Sequence, residues 1–257
     1  MTPTRTPARA LITGATAGLG AEFARQLAAA GHPLVLVARD LGRLEKSSLE
    51  LGSRYGVDVE VLAADLSERE ELARVELRLL DVGSPIGYLV NNAGYGLREP
   101  FDENDIEIEQ RHLDVLVTAP LRLSHAALRG MLARRSGVIL NVASVAAYTP
   151  RSTYGAAKAY ILSFTRWANI NYRRSGVTFT AVAPGFVHTE FHSRMEVGSD
   201  FIPSILWLDA PYVVRAALRA ARRGRAVTVP SLRYKVIAAL ARIAPPRIAA
   251  AGALKGR

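Results

Sequence analysis

Tyr154 and Lys158 stand four residues apart in the segment YGAAK, among small and apolar neighbours. On a helix this spacing puts the phenol and the ammonium on one face, about one turn apart. A lysine beside a tyrosine can only donate hydrogen bonds and add positive charge. It therefore favours the phenolate and lowers the tyrosine's pKa. A free tyrosine, with a pKa of roughly 10, is a poor base near neutrality; a lysine-tuned one can work as an acid/base. The same spacing also fits an exposed lysine beside a half-buried tyrosine, so the pair needs support from the rest of the chain.

A second chemical cluster lies near the start. TGATAGLG, Thr13–Gly20, follows a short apolar run and opens a helical pattern, with glycines at 14, 18 and 20. Glycines there allow a tight turn and close backbone approach, and the helix N-terminus offers free N–H groups to a pyrophosphate. The next apolar run ends in VLVARDLGR. A carboxylate closing it would hydrogen-bond the ribose 2′-hydroxyl of NAD and repel a 2′-phosphate. Ala38 stands there instead, with Arg39 next and Arg43 one turn on. Guanidinium groups suit a phosphate, so the reading favours NADP(H) over NAD(H). The competing reading is that Arg39 is a solvated charge beside Asp40.

The elements that must position these groups follow from periodicity. Short β-branched runs at 10–13, 33–38, 59–64, 86–92, 137–144 and 177–184 alternate with helical patterns at 19–30, 40–54, 68–80, 103–134, 152–174 and 210–223. A short seventh run lies at 226–230. Such alternation predicts βαβ units and a parallel sheet, and the near-continuous apolar runs suit strands covered on both faces. No repeat or low-complexity linker divides residues 1–257, which read as a single α/β, doubly wound domain. Composition is that of a soluble globule, 49% hydrophobic and 22% charged. The chain has no cysteine, which excludes disulfides and thiol chemistry and suits a cytoplasmic protein. The opening MTPTRTPARA lacks an apolar stretch of signal-peptide length, and no apolar run reaches the roughly 20 residues that cross a bilayer. The net charge of +10 invites a nucleic-acid reading, but the basic residues are scattered near glycines and apparent helix ends. No nucleic-acid partner is expected.

Five separated elements, TGATAGLG, AADLS, NNAG, Ser144 with YGAAK, and PGFVHT, resemble the classical short-chain dehydrogenase/reductase family over roughly residues 9–190. The resemblance implies a Rossmann-like fold, hydride transfer between a nicotinamide and a carbonyl or secondary alcohol, and a homodimer or homotetramer. It implies catalytic roles for Tyr154 as acid/base, Ser144 as hydrogen-bond partner of the substrate oxygen, and Lys158 as holder of the nicotinamide ribose, and it counts Tyr154 as well as Lys158 among the cofactor-binding residues. In the glycine loop it assigns Gly14, Thr16, Ala17, Gly18, Leu19 and Gly20 to the cofactor, joined by Arg39 and Arg43. Asp65 and Leu66 would flank the adenine, and Asn91, Asn92, Ala93 and Gly94 would support the central strand and line the cofactor channel. Pro184, Gly185, Val187 and Thr189 would contact the nicotinamide end.

Two departures qualify the resemblance. Leu116, in VLVTAP, occupies the position of an asparagine that in many members relays protons to the lysine through water. Ser144 and Tyr154 are ten residues apart where about thirteen are usual, which predicts a short loop and an open cleft, with Ser152 and Thr153 as alternative serine candidates. Leu116 feeds a rival reading, a dinucleotide-binding sensor or scaffold that has lost catalysis. A Rossmann-like methyltransferase would need an acidic residue closing the second strand and leaves YGAAK unexplained. His188 and His192 in HTEFH have helical metal-ligand spacing, but Thr189 between them already fits the cofactor motif and no third ligand cluster is evident, so no metal is expected. Apolar residues between Phe186 and Leu208 suggest a substrate lid over about 186–210 and an apolar substrate. The basic, apolar segment 231–257 reads as an amphipathic helix that lies on a membrane surface, a neighbouring subunit or its own domain; of these, membrane contact is the less favoured.

Overall fold

In the computed structural model, residues 7–190, 203–245 and 247 are described. The seven apolar runs become strands β1 (Arg9–Thr13), β2 (Leu34–Ala38), β3 (Val59–Ala63), β4 (Ile86–Asn91), β5 (Gly137–Val142), β6 (Val177–Val182) and β7 (Val227–Thr228). They form one parallel sheet in the order β3-β2-β1-β4-β5-β6-β7. Parallel strands need crossovers, supplied here by α1 (Gly18–Ala29), α2 (Leu41–Tyr55), α3 (Arg69–Leu80), α4 (Ile106–Leu113), α5 (Ala119–Ala133), α6 (Thr153–Tyr172) and α7 (Ala210–Arg222). A further helix, α8 (Leu232–Ile243), follows β7.

The period-2 alternation of each strand feeds two cores. Ala10, Ile12, Leu34, Leu36, Val90 and Leu140 pack with Phe23 and Leu27 of α1, Leu44 of α2 and Val213 and Val214 of α7. The residues one step out of phase, Leu11, Val35, Val37, Leu89, Ile139 and Phe179, pack with Val75 of α3, Leu123 of α5 and Ala168 of α6 on the opposite face. Strand order reverses at β1, whose neighbours are β2 and β4. The loops leaving β1 and β4 therefore diverge, opening the crevice in which doubly wound sheets bind ligands.

The helical pattern at 103–134 is not one helix. Between α4 and α5 the backbone widens into a π-turn over Asp114–Thr118, with the Ala119 N–H bonded to the Asp114 carbonyl. The cause lies in Pro120, which has no N–H to give the Leu116 carbonyl and forces the ladder to slip.

Candidate active site and dinucleotide cradle

The loops after β1 and β4 are stitched together. Thr13 Oγ1 accepts from the N–H groups of Asn92 and Ala93, both at 3.0 Å. Asn92 Nδ2 donates to the carbonyls of Thr13 at 2.9 Å and Gly14 at 3.2 Å. Below them, Asn91 donates to Asn141 Oδ1 at 2.8 Å, tying β4 to β5. Gly14 and Gly18 adopt left-handed φ values of 63° and 52°. A methyl group on Gly14 would lie 3.0 Å from Ala93 Cα, and one on Gly18 would lie 3.1 Å from Thr189 Cβ. One on Gly20 would collide with the Gly14 carbonyl oxygen. Close approach thus requires glycine at these positions, and together they join three of the sequence-assigned segments. Ala17 precedes α1 without a side-chain cap, and the first turn (Gly18, Leu19, Gly20) carries no acidic residue. Its N–H groups and positive dipole end suit a pyrophosphate.

At the mouth of this cradle, Arg43 Nη2 donates to the Thr16 carbonyl and to Glu190 Oε1, each at 3.1 Å. Arg39 projects from the end of β2 with its side chain 73% exposed and 3.7 Å from Asp65 Oδ2. Burial works against ionisation of Asp65, yet donation from the Ser67 N–H and hydroxyl, aided by Arg39, holds its carboxyl below the usual range. Leu66 is buried in the core beside it, which leaves Asp65 as the polar side chain at this edge, next to Arg39. The fit to a dinucleotide is good: glycine-permitted backbone approach, uncapped helix N–H groups, and two guanidinium groups at the second-strand end.

Tyr154 and Lys158 sit on the other wall. Ser152 Oγ accepts from the Gly155 N–H at 3.2 Å and so caps α6, which brings Tyr154 and Lys158 onto one face. Ser144 Oγ accepts from the Ala146 N–H at 3.1 Å and caps a short 3₁₀ turn, Val145–Tyr148. A methyl on Gly155 would lie 3.1 Å from the Ala146 carbonyl, so this turn rests directly on the first turn of α6. The shortened loop between Ser144 and Tyr154 is taken up in that turn. Lys158 is 4% exposed; its Nζ donates to the Val142 carbonyl at 2.8 Å and lies 5.5 Å from the centre of the Tyr154 ring. Burial pulls the ammonium down to about 8. A methyl on Gly94 would lie 3.6 Å from Lys158 Nζ and 2.8 Å from Leu116 Cδ2. The channel wall, the lysine and the leucine in the asparagine's place therefore meet at one corner.

Sequence reading missed His112. It is buried on α4, and its ring stacks on Tyr154 at 6.3 Å between centroids, inclined by 24°. Its Nε2 lies 3.0 Å from the Tyr95 carbonyl, which can only accept, so the proton is on Nε2. Burial pushes its pKa down, the nearby Lys158 charge adds to this, and the Tyr95 bond and Glu109 oppose it. The available signal was its position four residues before Leu116, about one helical turn from the residue in the asparagine's place.

After β6, Pro184 accepts from the Val145 N–H through its carbonyl, and a methyl on Gly185 would collide with the Tyr234 ring. Val187 pairs with Leu208 in a short parallel bridge, and Trp207 contacts Phe186 and stacks on His188 at 4.6 Å. His188 is thus held as an aromatic partner of Trp207. Phe191, His192, Met195, Phe201 and Ile202, assigned to the lid or the histidine motif, lie outside the described residues.

A family model described as short chain dehydrogenase matches residues 8–198. The chain is 33% identical over 189 residues to a very-long-chain 3-oxoacyl-CoA reductase of Anas platyrhynchos, covering 70% of this chain and 60% of the reductase. Among solved structures it resembles a short-chain dehydrogenase from Sphingobium yanoikuyae in complex with NADPH. That match has 35% identity and a TM-score of 0.83, over 90% of this chain and 92% of the other. It also resembles a bulky-bulky ketone specific alcohol dehydrogenase from Comamonas testosteroni, with 33% identity and a TM-score of 0.80, over 90% and 91% of the two chains.

Proposed function

Because the chain belongs to the short-chain dehydrogenase family, we propose that it is an NADP(H)-dependent oxidoreductase that interconverts an apolar ketone and its secondary alcohol. The observation that carries this reading is the junction of the glycine loop, the 91–94 segment and Lys158, with Tyr154 on the same face of α6. Gly14 to Gly20 would hold the pyrophosphate, Arg39 and Arg43 a 2′-phosphate, and Lys158 the nicotinamide ribose. The dinucleotide, when bound, supplies or takes up the hydride.

The chain's own residues manage the proton. As negative charge develops on the carbonyl oxygen, the Tyr154 hydroxyl donates its proton to that oxygen. The Lys158 ammonium stabilises the phenolate left behind. Ser144 Oγ already accepts from the Ala146 N–H, which leaves its own hydrogen to donate to the same substrate oxygen. In the oxidative direction Tyr154, as phenolate, removes the alcohol proton. Phe186, Leu206 and Trp207 support an apolar substrate, and the bulky-ketone specificity named for the Comamonas relative supports a ketone. Exposed Tyr160, Trp167 and Ile170 along α6 support a homo-oligomer.

A panel of ketones and secondary alcohols followed by NADPH absorbance tests this reading. Turnover of bulky apolar ketones with NADPH is expected. NADPH binding without turnover of any member would favour the sensor or scaffold reading instead.

A further inference from the structure

The net charge of the protein is confined to one end of the chain. Residues 210–257 contain eleven arginines and lysines and no aspartate or glutamate, so residues 1–209 sum to −1 against +10 for the whole. Cations in this region therefore have no carboxylate of their own segment to neutralise them. Within the described part, α7 carries Arg215, Arg219 and Arg222 on its exposed side, and Arg215, Arg219, Arg223, Arg225 and Lys235 line a cleft of about 260 Å³ between α7 and the start of α8.

Helix α8 adds apolar surface to this charge. Its inner face is set by Tyr234 and Ala238, which are buried. The Tyr234 hydroxyl donates to the Leu206 carbonyl at 2.6 Å and accepts from the Phe186 N–H at 3.1 Å, clasping both stems of the lid. Arg242 lies over the Tyr148 ring at 4.5 Å, which fixes the far end of α8 against the turn after Ser144. The outer face is a continuous apolar stripe. Leu232, Val236, Leu240 and Ile243 recur at helical spacing and are 76%, 51%, 56% and 80% exposed. Exposed Arg233 borders the stripe on one side, and Lys235 and Arg242 border it on the other. A helix packed only for its own domain would put polar residues on this face.

We propose that α8, with the adjoining arginines of α7, is a docking surface for anionic membrane, the stripe entering the acyl boundary while the flanking cations meet lipid phosphates. Apolar area and basic charge on one face are the two contributions that add in interfacial binding. An acidic protein would account for the charge and leave the stripe unexplained. A second copy of this chain would account for the stripe and meet the same excess of positive charge, only part of which Glu22 offsets through Arg215. No helix among the described residues is long and apolar enough to cross a membrane; the contact proposed is with the bilayer surface. It stands independently of the reaction assigned above.

Vesicle co-sedimentation of the full chain tests it, with phosphatidylcholine vesicles and mixed phosphatidylcholine–phosphatidylserine vesicles as probes. The expected result is partitioning into the anionic vesicles roughly tenfold or more above the neutral ones, reversed by salt. Leu232→Glu with Leu240→Glu, and separately Arg219→Glu with Arg223→Glu, should each reduce that partitioning roughly tenfold or more. Both pairs are exposed, so thermal melting and NADPH binding should match the parent. Equal partitioning into both vesicle types would overturn the proposal. Loss of binding in the arginine pair with none in the leucine pair would also overturn it, because the apolar stripe would then take no part in the contact. An oligomer broken by the leucine pair, in a parent that ignores vesicles, would overturn it in favour of a second copy.

Discussion

Replacing Lys158 by methionine keeps the unbranched stem and removes the buried ammonium. In the folded chain burial brings this group down to about 8, from an ordinary value of 10.5. Between those values the unfolded chain holds a proton that the folded chain has released, so stability rises with pH through that window. Below it both states are protonated and the full cost of burying the charge is in place. From about pH 7 to about pH 10 the relief amounts to about 2–3 kcal/mol. Methionine also strips the Val142 carbonyl of its donor, but that loss does not vary with pH. The buried phenols of Tyr88 and Tyr234, pushed up by desolvation, give the opposite slope and are common to both proteins. Urea melts of parent and variant without dinucleotide, at both pH values, isolate the lysine. The parent should gain about 2–3 kcal/mol more than the variant on going to high pH. Parallel gains within about 0.5 kcal/mol would refute the claim that burial depresses Lys158.

Arg39→Ala should weaken NADPH by about 1.5–3 kcal/mol and leave NADH nearly unchanged in a fluorescence titration, since only the 2′-phosphate loses a charge-assisted contact; equal loss for both would remove the arginine from the phosphate site. His112→Phe keeps a ring against Tyr154 and removes a group whose folded pKa is depressed. Parent stability should therefore fall, relative to the variant, as pH drops below His112's ordinary value of 6.5, because the unfolded chain then takes a proton the folded chain resists. Paired melts at neutral and mildly acid pH check this. Leu116→Asn buries an amide at a fully packed site, so urea melts should show a loss of about 2–4 kcal/mol while dinucleotide affinity holds. Within a ketone series, kcat/KM should rise by up to roughly 1 kcal/mol per well-buried methylene, and a flat trend would return the lid-base aromatics to a purely structural role.

Most of the fold was legible because parallel strands covered on both faces are written as apolar runs, and all seven strands formed within a few residues of those runs. The glycine loop was legible for a similar reason: Gly14, Gly18 and Gly20 each meet backbone or side chain where a methyl group would crowd. The break in the 103–134 helical pattern was not read, although Pro120 supplies its cause. His112 was not legible because its place on the Tyr154 ring depends on which helices the fold brings beside α6. Ser152, an alternative to Ser144 on spacing alone, is the cap of α6, a role that only the position of the Gly155 N–H reveals. The charge imbalance of the last segment was present in the sequence, but its meaning depends on which face of α8 is buried, and Tyr234 and Ala238 decide that through contacts made across the fold.

The central claim, that Tyr154 is the proton donor of a hydride transfer, is tested most directly by Tyr154→Phe. Phenylalanine keeps the ring stacked between His112 and the Lys158 side and removes only the hydroxyl. Steady-state reduction of a ketone that the parent turns over should fall by about 10²–10⁴-fold, while NADPH affinity measured by fluorescence stays within about twofold, since the glycine loop, Arg39, Arg43 and Lys158, to which most of the dinucleotide is assigned, are unchanged. A Tyr154→Phe protein as active as the parent on that ketone would contradict the account.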